Sequence, residues 1–235
     1  MKAVAMRTGA MKAHPMRTFL LAVAGFLAIF VSLAARADQS SVLQVEFTND
    51  QLDPSHWTLT LRSDGSGHFT SQMGKVPAGD PPVVIGPNVD RDIQLSAAFT
   101  AHVFVVAHRH QLFNEGCESH LKVACEGFKK FSYTGPDGSG SCTYNYSKNK
   151  EIEDLGSTFG AVAETMIEGA RLQELLQHDR LGLDKEMEYL VDAADHGHAL
   201  EISNIRPILV KLADDDEVLE RVRKRARHLL AQAGT

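Results

Sequence analysis

Three cysteines fall within one stretch, CESHLKVACEGFKKFSYTGPDGSGSCTYNYS, which runs from Cys117 to Ser147. Thiols at Cys117, Cys125 and Cys142 can serve a disulfide, a metal site or nucleophilic catalysis. Metal sites carry recognisable ligand spacings, and the chain has no HExxH, no paired CxxC and no aspartate-rich calcium loop. A nucleophilic cysteine needs a thiolate stabilised by nearby positive charge, whereas Cys125 is followed by Glu126. Cys125 is therefore expected to be a mostly buried structural thiol.

Ten of the eleven histidines lie beyond residue 37, and His108-Arg109-His110 and His196-Gly197-His198 are the conspicuous pairs. Helical residues two apart point about 200° apart, so His108 and His110 do not chelate one ion from a single helix. His110 extends an apolar stripe and reads as a hydrogen-bonded core histidine. His196 and His198 flank a helix-ending glycine and are the pair able to converge. The chain has no GxSxG elbow, and Gly65-Ser66-Gly67 and Gly138-Ser139-Gly140 read as hairpin turns. No catalytic, cofactor-binding or metal-binding residue is assigned, and no cofactor is expected.

The elements that position these residues follow from periodicity. Leu43, Val45 and Phe47 alternate, as do Trp57, Leu59 and Leu61, and SDGSG turns the chain towards Phe69. Residues 74–92 are rich in Gly, Pro and Asp and read as a surface loop, with one short edge strand at Val83–Ile85. Ser96 is placed to cap a helix whose stripe of Phe99, Val103, Val106, Ala107 and His110 extends to Phe113. Gly135-Pro136-Asp137-Gly138 is a turn. Placing Thr134 opposite Ser141 pairs Tyr133 with Cys142, Phe131 with Tyr144 and Lys129 with Tyr146, and puts Phe131, Tyr133, Cys142, Tyr144 and Tyr146 on one dry face.

Beyond residue 150 the pattern is helical. Ile152, Leu155, Phe159, Val162, Met166 and Ala170 form the stripe of a long helix that ends at DRLGLD, and three shorter helices follow. Asp214, Asp215, Asp216 and Glu217 precede the basic run RVRKRARH, an order that suits a helix opened by acids and closed by bases. The fold class expected is α+β: an antiparallel β-sheet packed by helices, followed by a C-terminal helical region. The organisation is 1–37 signal peptide, 38–150 sheet with one helix, and 151–235 helical.

Lys2, Arg7, Lys12 and Arg17 precede an apolar run from Phe19 to Ala35, and Ala35-Arg36-Ala37 follows. That is the pattern of a secretory signal cleaved after Ala37. Methionines at 11 and 16 offer alternative starts to Met1, and retention of the run as a membrane anchor is the alternative to cleavage. Removing this basic segment leaves 19 Lys and Arg against 30 Asp and Glu, a net charge of −11. Nucleic-acid affinity rests on Lys and Arg neutralising phosphate, so such a chain is not expected to bind nucleic acid. A periplasmic or secreted location is expected, with no membrane attachment after cleavage.

An unbroken strand from Cys125 to Tyr133 would put Cys125 roughly 26 Å from the partner of Cys142, at about 3.3 Å per residue. Bridged cysteines have Cα atoms within about 7 Å, so Cys125–Cys142 is disfavoured, while Cys117 could fold back beneath the strand. Cys117–Cys125 remains a rival if residues 118–124 loop.

The Asp-Gly hairpin, the Ser-started helix, GFKKFSYTGPDGSGSCTYNYS and the long helix ending in DRLGLD together resemble a family of exported bacterial α+β domains of unknown function. The resemblance covers most of residues 41–200 and is strongest in Gly127–Ser147. It implies fold and compartment, and cysteines at positions 117 and 142 as a disulfide, with Cys125 the departure; it implies no catalytic residue. NIRPILVKLADDDEVLERVRKRARHLLA also resembles one HEAT-type helical repeat, which cannot bury its own face alone. The functional expectation is an envelope protein with a non-enzymatic binding role towards a protein or other envelope partner. The alternative is a metal-dependent or other hydrolase using a histidine cluster.

Overall fold

In the computed structural model, described for residues 40–72, 74 and 87–234, the alternating segments form one six-stranded sheet. The strands are β1 (Val42–Thr48), β2 (His56–Arg62), β3 (Ser66–Gln72), β4 (Val89–Gln94), β5 (Phe128–Gly135) and β6 (Gly138–Tyr144). Every pairing is antiparallel, in the order β4-β3-β2-β1-β5-β6. The helices are α1 (Ala97–Arg109), α2 (Lys150–His178), α3 (Leu183–Asp195), α4 (Arg206–Asp214) and α5 (Glu220–Gln232). The α+β class and the C-terminal helical region are as the sequence indicates. Residues 1–37 with their cleavage site, and Val83–Ile85, lie outside the described residues.

Side chains alternate across the pleat, so each face of the sheet reads as rows. The central inner row runs Arg91, Phe69, Leu59, Val45, Phe131, Cys142 from one edge to the other. Four of its members, Phe69, Leu59, Val45 and Phe131, have no exposed surface. The row behind it on the outer face runs Asp92, His68, Thr60, Gln44, Ser132, Ser141 and is polar throughout. This division of apolar and polar residues is what an antiparallel sheet with one covered face requires.

Helices α1 and α2 cover the inner face. Ser96 caps α1, its Oγ accepting from the Phe99 amide, and Asn149 caps α2 by accepting from the Glu151 amide. Phe131 is the centre of an aromatic cluster, stacking on Phe113 at 5.0 Å between centroids and meeting Phe159 of α2 at 6.1 Å. Gly65 makes the β2–β3 turn at φ +84°, where a Cβ would lie 2.7 Å from the Leu95 carbonyl oxygen.

Four features differ from the sequence reading. The β5–β6 hairpin pairs Thr134 with Ser139, Phe131 with Cys142 and Lys129 with Tyr144, two residues away from the expected register. A tight turn at Pro136-Asp137 joins Gly135 directly to Gly138, so Gly138–Gly140 opens a strand. Strand β4 begins inside the segment expected to be loop; its inward residues Val89, Arg91 and Ile93 are too few to stand out among the surrounding prolines and glycines. Helix α1 stops at Arg109, and Gln111, Leu112 and Phe113 take positive φ values of 51°, 57° and 66°. That reversal turns Phe113 into the core instead of continuing the helix.

The apolar core divides within α2. Its residues as far as Ile167 pack with the sheet, and from Leu172 onward they pack with α3, α4 and α5. Residues 200–204 strap the helical region to the rest. The Leu200 amide donates to the Ala161 carbonyl at 3.1 Å, Asn204 Oδ1 accepts the Gln94 amide at 2.8 Å, and the Arg91 guanidinium donates to the Asn204 carbonyl at 3.2 Å.

Candidate functional site

Of the residues singled out by chemistry, Cys117, Cys142 and His110 gather where α1 ends, α2 begins and the cysteine segment crosses the edge of β6, while His196 and His198 follow the end of α3. Cys117 and Cys142 are joined, with Cα atoms 5.8 Å apart, so the segment after the α1 reversal is tied to the edge strand. Behind the bridge, Glu118 accepts the Asn145 amide at 2.7 Å and the His120 amide at 3.1 Å. The Asn145 amide chiefly holds the Glu118 carboxyl below the usual carboxylate range. Asn145 fixes the far end, its side chain accepting the Glu126 amide and donating to the Ala124 carbonyl.

Cys125 is exposed, which corrects the expectation of a buried thiol. The strand expected from Cys125 begins only at Phe128, and residues 120–126 run as irregular chain with their side chains in solvent. Clamps at Glu118 and Asn145 replace strand pairing here.

His110 is buried at the helix reversal, with Nδ1 2.6 Å from Glu115 Oε1 and Nε2 2.8 Å from Glu151 Oε2. Arg109 pairs with the other oxygen of Glu151, and Asn149 Nδ2 lies 3.2 Å from His110 Nδ1. Hydrogen bonding to His110, with the Arg109 charge, lowers the Glu151 carboxyl from its ordinary value. This is a histidine with two carboxylates, yet each ring nitrogen already faces an oxygen. Both edges of the ring are taken up by this network at the helix reversal.

His108 points elsewhere, with Nδ1 3.3 Å from Asp137 Oδ2. Asp137 Oδ1 accepts from the Tyr133 hydroxyl at 2.7 Å, and Ser41 Oγ lies 2.8 Å from that hydroxyl. Ser41, Tyr133, Asp137 and His108 thus form a chain tying the start of β1 to the β5–β6 turn. Burial raises the Tyr133 hydroxyl from its ordinary value, and its hydrogen bond lowers Asp137. The serine is not in contact with the histidine through this chain, so the set is not arranged as a nucleophile and its base.

His196 turns back onto Asp192, its Nδ1 2.8 Å from that residue's carbonyl oxygen, and His198 is exposed. Among the described residues no three His, Cys, Asp or Glu side chains are arranged to hold a metal ion. The basic run belongs to α5, which begins at Glu220, so the preceding acids lie before the helix instead of in its first turn. Its arginines find acids in three dimensions: Arg221 and Arg225 converge on Asp184, Arg225 also meets Glu188, and Arg223 meets Asp216 and Glu220.

Glu115, Glu118, Asn145 and Glu151 were not candidates from the sequence. Glu115, Glu118 and Glu151 also make local contacts, with His110, His120 and the capping Asn149, but the contacts that build the site, Glu118–Asn145 and His110–Glu151, join positions 27 and 41 residues apart. No protein-family model and no curated protein sequence matches the chain.

Proposed function

We propose that the chain is an exported protein of the cell envelope whose mature part is a non-enzymatic binding module, and that it engages a polar protein surface through the outer face of the sheet. The observation that carries this reading is the outer face itself. Gln44, Glu46, Thr60, His68, Lys130 and Ser132 line it, each partly or fully exposed, while α1 and α2 pack on the opposite face. Six strands at about 4.8 Å spacing give a face roughly 24 Å wide. With strands of about 20 Å, the area is near 500 Å², below the roughly 800 Å² per partner of a standard interface, which fits a transient contact.

Export is supported by the basic and apolar pattern of residues 1–37 and by the Cys117–Cys142 bridge, which is compatible with an oxidising compartment. No helix among the described residues is long and apolar enough to cross a membrane. The resemblance to exported bacterial α+β domains supports the same reading. A hydrolase built on the histidines would need a free imidazole nitrogen beside a carboxylate, and His110 has both nitrogens engaged.

Proximity labelling in the native host tests the proposal, using the wild-type chain and a Gln44→Arg/Thr60→Arg variant shown to have an unchanged melting temperature. Neighbours labelled by the wild type and lost from the variant support the sheet face as the contact. An identical set of neighbours for both overturns it.

A further inference from the structure

Glu168 lies on α2 at the junction of the two apolar clusters, with its side chain only 2% exposed. Its Oε1 accepts from the Arg171 guanidinium at 2.6 Å, and the same Arg171 nitrogen reaches Glu186 Oε1 of α3 at 3.2 Å. The other oxygen, Glu168 Oε2, is buried and accepts from no donor. One guanidinium thus stands between two buried or half-buried carboxyls. The surrounding groups do not restore balance. Helix α2 adds a third carboxyl, Glu164, which accepts the Tyr189 hydroxyl of α3 at 2.5 Å. Lys185 of α3 acts on Glu186, and residues 202–205 present the uncharged Ile205 against Gly169.

Two ionised carboxylates sharing one arginine would leave a net negative charge beside Glu168, whose side chain is shut off from water while Arg171 and Glu186 are only partly covered. A proton on Glu168 removes that charge and gives the carboxyl an O–H to donate, with Glu186 the neighbouring acceptor. We propose that Glu168 and Glu186 share one proton across the α2–α3 contact, and that this proton locks α3, with the helices packed on it, onto α2. Burial pushes the Glu168 carboxyl up to about 9, and its hydrogen bond to Glu186 acts in the same direction. Glu186 moves the other way, lowered by the hydrogen bond from Glu168 and by Arg171. The pair therefore holds one proton through the neutral range.

The sign follows from linkage. Glu168 has a raised folded value, so its contribution is fully present below the ordinary glutamate value of 4.5 and is lost as pH rises towards about 9. Above that point the two carboxylates repel, and α3 is the element that moves.

The test is hydrogen exchange of residues 183–195, corrected for intrinsic rates, with melting curves from about pH 6 to about pH 9, on the wild type and Glu168→Gln. Glutamine keeps a donor towards Glu186 and cannot ionise. In the wild type the opening equilibrium of α3 should rise at least about tenfold over this range, since one proton is worth up to tenfold per pH unit. Glu168→Gln should lose that steep rise, keeping only the shallower dependence that His196 at the end of α3 gives both proteins, and should melt above the wild type at the alkaline end. Wild-type exchange that is independent of pH overturns the proposal without the variant. Parallel pH profiles in the two proteins also overturn it. A protonated-acid carbonyl band in the neutral infrared spectrum that disappears in Glu168→Gln supports it.

Discussion

The Tyr144 hydroxyl donates to the Ile152 carbonyl oxygen at 3.0 Å, and Gly156, one turn further along α2, has no room for a Cβ because that hydroxyl and, at 2.8 Å, the Lys129 side chain occupy the space. The contact sets the height of the long helix over the edge strand β6. Burial raises the Tyr144 hydroxyl well above its ordinary value, so it remains a donor at any working pH. Tyr144→Phe should cost about 1 kcal/mol, the net value of one buried hydrogen bond. Gly156→Ala should destabilise the wild type by about 1–3 kcal/mol through overpacking. In the Tyr144→Phe background the same change should cost clearly less, because the oxygen is gone, only the flexible Lys129 chain has to shift, and alanine is the better helix former. Chemical denaturation of the four proteins checks this: additive effects would show that hydroxyl and glycine do not share the space.

The cysteines make a separable prediction. Cys142→Ser should lower the melting temperature by several degrees, since closing about 25 residues stabilises by roughly 3 kcal/mol on the chain-entropy account. Cys125→Ser should leave it nearly unchanged, and Cys125 should react with a maleimide in the native protein. Peptide mapping without reductant should recover the 117–142 cross-link; a 117–125 peptide would refute it.

Glu201 holds Ser96 with both oxygens, accepting its amide at 2.8 Å and its hydroxyl at 2.7 Å, although its own backbone is left-handed at φ 56°. Strain of this kind costs about 1 kcal/mol or more and persists where contacts compensate. Glu201→Ala should therefore destabilise by about 1–3 kcal/mol by leaving two donors short of an acceptor. Glu201→Gln, which keeps one acceptor oxygen, should fall between it and the wild type. Equal stability of all three in thermal melts would show that solvent replaces the carboxylate.

Acid should weaken the cysteine segment first. Glu118 and Glu151 both have lowered carboxyl values, held by the Asn145 amide and by His110 respectively. A depressed carboxylate contributes stability that is present above the ordinary value of 4.5 and is lost as pH falls through the folded value. Exchange protection of residues 117–127 should therefore be lost at some point below the ordinary carboxylate value of 4.5, ahead of the sheet, and Glu118→Gln should show that weakened state already at neutral pH. Protection that persists in the variant would remove Glu118 from the account.

Export has a direct readout. Protein isolated from its host should begin at Asp38, by intact mass or N-terminal sequencing. Retention of residues 19–35 would show a membrane-anchored protein instead.

Local periodicity determined much of this protein. Leu43, Val45, Trp57, Leu59 and Phe69 announce an inner face because a strand repeats every two residues, and the stripe from Ile152 to Met166 announces a helix because nothing else repeats at 3.6. The cap Ser96 is equally local, bonding three residues ahead of itself. The β5–β6 register shows where this information ends. A shift of two residues leaves Phe131, Tyr133, Cys142 and Tyr144 on the same face, so alternation accepts both registers, and only the turn at Pro136-Asp137 distinguishes them. Tertiary structure alone decided the rest. Asn145 replaces a strand partner for residues 124–126, which is why Cys125 faces solvent. Asp184 meets Arg221 and Arg225, 37 and 41 residues away, which turns a basic run into a paired surface. Glu168 is one more acid on a helix until Glu186 is packed against it. Each of these depends on charges or donors brought together by chain folding, and the energy of such a contact is set by burial and distance in space, which no spacing along the chain encodes.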